Sequence, residues 1–226
     1  KSFVNVTTDK VYENQEQENY GYVETDRLNG YDPYSNSKSC SELVTASYCK
    51  SFFSDRDLAV STCRAGNVIG GGDFSENRIV PDCIKYTVKN IPIIVRNPNS
   101  VRPYQHVLEA DMFYLMLAMK QYNNKSYAGN YNIGPDDSDC VTTSQLCELF
   151  CHFWEGAKWK ATDYQGPHEA NFLKLNCEKA KSILKWYPRW HVTEAVKKTI
   201  EWSKVFVNNG DLKEITSHQI LEYMEE

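Results

Sequence analysis

Two short stretches carry groups whose types and spacing suit chemistry. Thr8-Asp9-Lys10 places a hydroxyl, a carboxylate and an amine directly after an apolar run, and Tyr34 with Lys38 forms the only Tyr-x-x-x-Lys of the chain. Phe3, Val4 and Val6 read as a short buried strand ending at those three residues. The ends of parallel strands are where such sheets present their chemistry. Asp32 is suited to cap a helix and Pro33 to occupy its first turn, which sets Tyr34 and Lys38 one turn apart on one face. A phenol acts as a base only as its anion, and an adjacent ammonium favours that anion. The combination points to redox chemistry on a sugar hydroxyl.

The elements that must position these groups follow from pattern and punctuation. Residues 12–31 are polar and broken by Gly21 and Gly30, as in a loop crossing a sheet edge. A helix is predicted from Pro33 to about Phe53, and a second strand from Leu58 to Val68, broken by Gly70-Gly71-Gly72-Asp73 with a loop roomy enough for a ligand after it. Further helices are expected at Ile79–Val88, Glu109–Lys120, Thr143–Trp154, Glu178–Leu184 and Val192–Val207. Strands are expected at Ile91–Val95 and at Tyr131–Ile133, the latter ending in a turn at Gly134.

Composition narrows the class. With 226 residues, 41% hydrophobic and 24% charged, the chain can build one sizeable core or a domain with a smaller lobe. A net charge of -5 argues against a nucleic-acid partner, whose phosphates call for clustered Lys and Arg. The eight cysteines lack a scaffold-like rhythm and read as reduced thiols of a cytoplasmic protein. Cys147, Cys151 and His152 share a helix, but no second cluster completes a metal site, so core thiols are the favoured reading. No apolar run approaches the roughly 20 residues of a membrane span, and no membrane partner is expected.

Three stretches, Thr8-Asp9-Lys10-Val11-Tyr12, Tyr34-Ser35-Asn36-Ser37-Lys38 and Arg64-Ala65-Gly66-Asn67-Val68, resemble the extended short-chain dehydrogenases that act on nucleotide sugars. Residues 102–107 (Arg-Pro-Tyr-Gln-His-Val) and 168–175 (His-Glu-Ala-Asn-Phe-Leu-Lys-Leu) are similar in particular to the 4,6-dehydratases of CDP-glucose in that family. The resemblance implies an α/β fold: the later part of a Rossmann-like parallel-sheet domain with a mixed substrate-binding lobe. It implies NAD as cofactor and CDP-glucose as substrate. Tyr34 and Lys38 would meet the cofactor, with Tyr34 taking the proton of the sugar 4-hydroxyl and Thr8 aligning that hydroxyl. Asp9 would protonate the departing 6-hydroxyl. Lys10 stands where related dTDP-glucose enzymes have Glu, and would be the C5 base or an electrostatic stabiliser of the enolate. Asn67, Arg78, Arg96, Arg102, Asn132, His168 and Glu169 would contact the sugar nucleotide, Arg102 through its pyrophosphate.

Residues 1–78 are expected to form the later Rossmann-like part with the catalytic helix, and 79–226 mainly the substrate lobe, with 101–135 returning to the first domain. The Gly-x-Gly-x-x-Gly turn that holds a dinucleotide pyrophosphate does not occur in the chain, and the first residue is not Met. An upstream half is therefore expected to carry that turn, and these residues alone are expected neither to retain NAD nor to dehydrate a sugar. The alternatives are another nucleotide-sugar epimerase or reductase, and an inert nucleotide-sugar-binding module. The helix of Tyr34 and the helix near Glu109 can supply a homodimeric four-helix contact.

Overall fold

The computed structural model describes residues 1–18, 20–162 and 172–225. Its strands and α-helices, in chain order, are β1 (Ser2–Val6), α1 (Pro33–Tyr48), β2 (Ala59–Ala65), β3 (Asn67–Ile69), α2 (Ile79–Val88), β4 (Ile93–Val95), β5 (Val101–His106), α3 (Val107–Asn123), β6 (Asn130–Ile133), β7 (Cys140–Thr142), α4 (Thr143–Phe153), β8 (Trp159–Ala161), α5 (Val192–Val207) and α6 (Leu212–Glu225). A 3-10 turn at Asp9–Val11 follows β1, and π turns cover Cys49–Phe53 and Ala180–Leu184. The fold class is α/β, as expected.

These elements group into two compact units. The first comprises Lys1–Gly66, Glu109–Gly134 and Phe172–Pro188, the second Asn67–Leu108, Pro135–Asn171 and Arg189–Glu226. The division thus falls at Gly66 rather than at residue 78, the return begins at Glu109 rather than at 101, and residues 172–188 rejoin the first unit as well.

In the first unit β1, β2 and β6 form a parallel sheet with β2 central, pairing Val4 with Ser61 and Cys63 with Tyr131. Parallel strands need long crossovers, and the helical segments between these strands provide them. Phe113 of α3 is buried and meets Tyr131 and Trp186 edge-on at ring-centroid distances of 6.1 and 5.3 Å. Residues 172–188 bring Leu173 and Leu175 into a core with Val11, Tyr12 and Tyr22.

In the second unit β3, β5 and β7 form one sheet, and β4 pairs with β8 in another. Its core is apolar: Ile69, Val80, Cys83, Ile93, Leu146, Phe150 and Val196 pack together from α2, α4, α5 and the strands. Helix α4 starts with a capping box, Thr142 accepting from the Gln145 amide at 3.1 Å while the Gln145 side chain accepts from the Thr142 amide at 2.8 Å.

Several expectations change. The single strand expected from Leu58 to Val68 is two strands, because the chain passes at Gly66 from pairing with β6 to pairing with β5. Strand β5 (Val101–His106) is not among the strands expected from the sequence. Pro103 is tolerated where β5 changes partner: Val101–Pro103 pair with β7 and Tyr104–His106 with β3. Nor was α6 expected; it is fastened by polar contacts, the Asp211 carboxylate accepting from the Lys213 and Glu214 amides and Gln219 donating to the Lys198 carbonyl at 2.8 Å. The roomy loop after β3 is also corrected at its glycines. A Cβ on Gly71 would lie 2.1 Å from the Trp202 ring, so an indole occupies that side of the backbone.

Candidate active site

The Tyr34 helix starts as its sequence dictates. The Asp32 carboxylate accepts from the Tyr34 and Ser35 amides at 3.0 Å each, and also from the Ser35 hydroxyl. Partial burial pushes this carboxyl up, but those hydrogen bonds and the charge of Lys10 outweigh it and hold Asp32 below its ordinary value. Lys10 is exposed, so its charge lies near the end of α1 that bears Tyr34. Tyr34 is 53% exposed and Lys38 half-buried, four residues further along α1.

Gly30 makes the close approach of the preceding loop possible. A Cβ there would sit 2.3 Å from the Ser35 carbonyl carbon, while the Gly30 amide donates to Ser39 Oγ at 3.0 Å and its carbonyl accepts from Asn36 Nδ2 at 3.0 Å.

Thr8 and Asp9 lie buried at the end of β1. The Thr8 hydroxyl donates to Asp9 Oδ1 at 2.9 Å and its oxygen accepts from the Lys10 amide at 3.4 Å, which leaves one lone pair as a further acceptor. Helix α1 packs against the turn that contains Asp9 and Lys10. The face it turns inward is polar: Ser35, Ser39 and Glu42 are all buried. Ser39 Oγ donates to the Val11 carbonyl at 2.8 Å. The Glu42 carboxylate accepts from Thr7 Oγ1 at 2.6 Å, from Thr62 Oγ1 at 2.8 Å, and from Arg64 Nε and Nη2 at 2.9 and 2.8 Å.

Arg64 is 1% exposed, and its Nη1 donates to the Tyr12 hydroxyl at 2.8 Å and to the Glu24 carbonyl at 2.9 Å. Burial works against both charges of the pair, yet their mutual hydrogen bonds prevail: Glu42 is lowered and Arg64 raised from their ordinary values.

The described fold aligns with known proteins over most of its length. Residues 1–199 match the family model described as GDP-mannose 4,6 dehydratase. The chain belongs to that family. It is 38% identical over 231 residues to CDP-glucose 4,6-dehydratase of Salmonella typhimurium, an alignment covering 99% of this chain and 64% of that protein. The chain therefore spans just under two thirds of that relative's length. The dTDP-glucose 4,6-dehydratase of Bacillus anthracis in complex with NAD superposes with a TM-score of 0.74 at 19% identity, over 89% of this chain and 61% of that one. UDP-glucose 4-epimerase of Thermus thermophilus with NAD gives a TM-score of 0.77 at 20% identity, over 90% and 64%. These structural likenesses establish the Rossmann-like fold.

Against this family background the expected substrate contacts divide. Asn132 is corrected: it is fully buried, its Oδ1 accepts from the Tyr12 hydroxyl at 2.6 Å, and its Nδ2 donates to the carbonyls of Tyr22 and Asn176 at 2.7 and 3.1 Å. Both amide hydrogens are used inside the fold. Asn67, Arg78, Arg96 and Arg102 belong to the second unit. Asn67 opens β3 opposite Tyr104, and Arg102 on β5 donates to the Val101 carbonyl at 2.8 Å. Arg78 precedes α2 and pairs with Asp73 at 3.3 Å; Arg96 donates to the Asn77 carbonyl at 3.3 Å. His168 and Glu169 lie outside the described residues.

Sequence reading missed Thr7, Ser39 and Glu42. Glu42 sits one turn past Lys38, and Ser35-Ser39-Glu42 at helical spacing reads as a solvated face. One signal was available: Arg64 falls within a run expected to be a strand, and a buried guanidinium demands a counter-charge.

The residues present fit the nicotinamide end of NAD. A half-exposed phenol stands on α1, and a hydroxyl with its proton committed to Asp9 stands at a strand end. Among the described residues no group of three or more His, Cys, Asp or Glu side chains could hold a metal ion, and no helix is long and apolar enough to cross a membrane.

Proposed function

We propose that the intact protein is an NAD-dependent dehydratase converting CDP-glucose to the 4-keto-6-deoxy sugar. The observation that carries this reading is the fastening of Thr7 and Val11 to α1, which sets Thr8, Asp9 and Lys10 against the helix of Tyr34 and Lys38. NAD, met by Tyr34 and Lys38, would supply the hydride acceptor for oxidation at C4 and the hydride donor for reduction at C6. Tyr34 removes the proton of the 4-hydroxyl, with Lys38 one turn further along the same helix. Thr8 offers an acceptor lone pair that aligns the same hydroxyl.

The resulting 4-ketone acidifies the C5 proton, and its loss with the 6-hydroxyl gives an unsaturated ketone. Asp9 protonates that leaving hydroxyl. Lys10, the next residue in the chain, takes the C5 proton as the base or stabilises the enolate while that proton passes to solvent, and a proton returns to C5 as hydride reaches C6. For the substrate's diphosphate, the family resemblance supports Arg102 as the contact with phosphate oxygens, with Asn67, Arg78 and Arg96 of the same unit as further contacts.

Product analysis tests the reading. Incubation of the intact protein with CDP-glucose and NAD is expected to yield CDP-4-keto-6-deoxyglucose. A C4 epimer would establish an epimerase, and unchanged substrate would leave only a binding role.

A further inference from the structure

Glu42 has no part in the chemistry above, yet it is among the most heavily bonded side chains of the first unit. It lies on α1, two turns past Tyr34 and one past Lys38. Its four hydrogen bonds come from Thr7, the residue immediately before Thr8-Asp9-Lys10, and from Thr62 and Arg64 on the neighbouring strand. On the other side of the same three residues, Ser39 of α1 holds the Val11 carbonyl and receives the Gly30 amide. The segment is thus tied to one helix both before and after its three chemical groups. Apolar contacts allow sliding by fractions of a side chain, whereas a fork-shaped guanidinium on a carboxylate does not.

We propose that Glu42, with Arg64 as its buried counter-ion and Ser39 as its companion, is a positioning residue that keeps the helix of Tyr34 and Lys38 in register with Thr8, Asp9 and Lys10. This rests on the dehydratase reading for its catalytic consequence, though not for its structural one. Register of this kind matters because a misplacement of about 1 Å costs on the order of 100-fold in rate.

Glu42→Gln strands a buried guanidinium beside a neutral amide and tests folding as much as register. The decisive variant is Thr7→Val in the intact protein, which keeps the shape and β-branch of Thr7 but deletes the hydroxyl that reaches Glu42. Thr7→Ser, which keeps the hydroxyl, is the rescue. With CDP-glucose and NAD, Thr7→Val is expected to lower kcat between about 10-fold and 100-fold, with KM within about twofold and Thr7→Ser close to wild type. An unchanged kcat per folded molecule, or a rise confined to KM, overturns the proposal.

A second readout does not depend on turnover. In protein labelled with 13C at the tyrosine Cζ, the Tyr34 signal, assigned through Tyr34→Phe, is expected to move in Thr7→Val and to return in Thr7→Ser. A Tyr34 signal identical in all three overturns the proposal even if the wild type proves not to be a dehydratase. Failure of the dehydratase reading shows separately, in the wild-type product alone.

Discussion

Helix α1 and helices α2 and α4 of the second unit bury opposite kinds of surface. Helix α1 turns Ser35, Ser39 and Glu42 inward and leaves Leu43, Val44 and Tyr48 more than half exposed. Helices α2 and α4 turn Val80, Cys83, Leu146, Cys147 and Phe150 inward, against Val196 and Ile200 of α5. The apolar unit gains stability from area removed from water, a force without direction. The α1 interface uses hydrogen bonds and one ion pair, whose net contribution to stability is small but whose geometry is exacting. The contrast teaches that the surroundings of the proposed catalytic groups are organised for register, and the second unit's core for cohesion.

The sharpest way to break that contrast is to separate rate from stability. Tyr34→Phe removes only a half-exposed hydroxyl, so it is expected to lower kcat by about 10²- to 10⁴-fold while leaving CDP-glucose affinity and the unfolding midpoint near wild type. Steady-state kinetics beside a thermal melt checks it, and near-normal turnover would remove Tyr34 from its role. Phe150→Ala, from the apolar core, is expected to cost about 3–5 kcal/mol of unfolding free energy, measured by denaturant titration. A loss below about 1 kcal/mol would show that this core is not what holds its unit together.

His106 puts a titratable group inside the second unit: an imidazole 2% exposed, meeting Trp190 edge-on at 4.8 Å and accepting from the Leu108 amide at 3.3 Å through Nδ1. Burial and the Lys198 charge push it down to about 4. The unfolded chain takes up this proton from about pH 6.5 downward while the folded one resists. The stability it contributes is therefore complete above pH 6.5 and is lost as pH falls towards 4, by up to about 3 kcal/mol. His106→Gln is expected to flatten that part of the stability profile, and a profile of unchanged slope would refute it.

The smallest effect is expected from Lys10, exposed at the rim of the polar interface. Lys10→Ala should slow solvent-deuterium incorporation at C5 by about 10-fold, more than it slows hydride transfer from C4. Unaltered incorporation would remove Lys10 from the C5 step.

The sequence by itself determined the elements whose signals are local. Asp32-Pro33 announces the start of α1, and the spacing of Tyr34 and Lys38 places both on one face because a helix repeats every ~3.6 residues. The runs at Phe3–Val6, Ala59–Ala65 and Tyr131–Ile133 declare strands through their β-branched, aromatic and small residues, although β1, expected to be buried, leaves Phe3 and Val6 exposed. Tertiary structure alone decided what depends on partners distant in the chain. It split one apolar run at Gly66 between two sheets, made a strand through Pro103 by changing its neighbour there, and took residues 172–188 back to the first unit. It also turned Asn132 from an expected ligand contact into an internal brace, and put Glu42 opposite Arg64. A polar side chain looks the same in sequence whether it faces water or a buried partner. Its role is set by which groups the fold brings within about 3 Å, because a buried charge or amide is tolerated only where its hydrogen bonds are met.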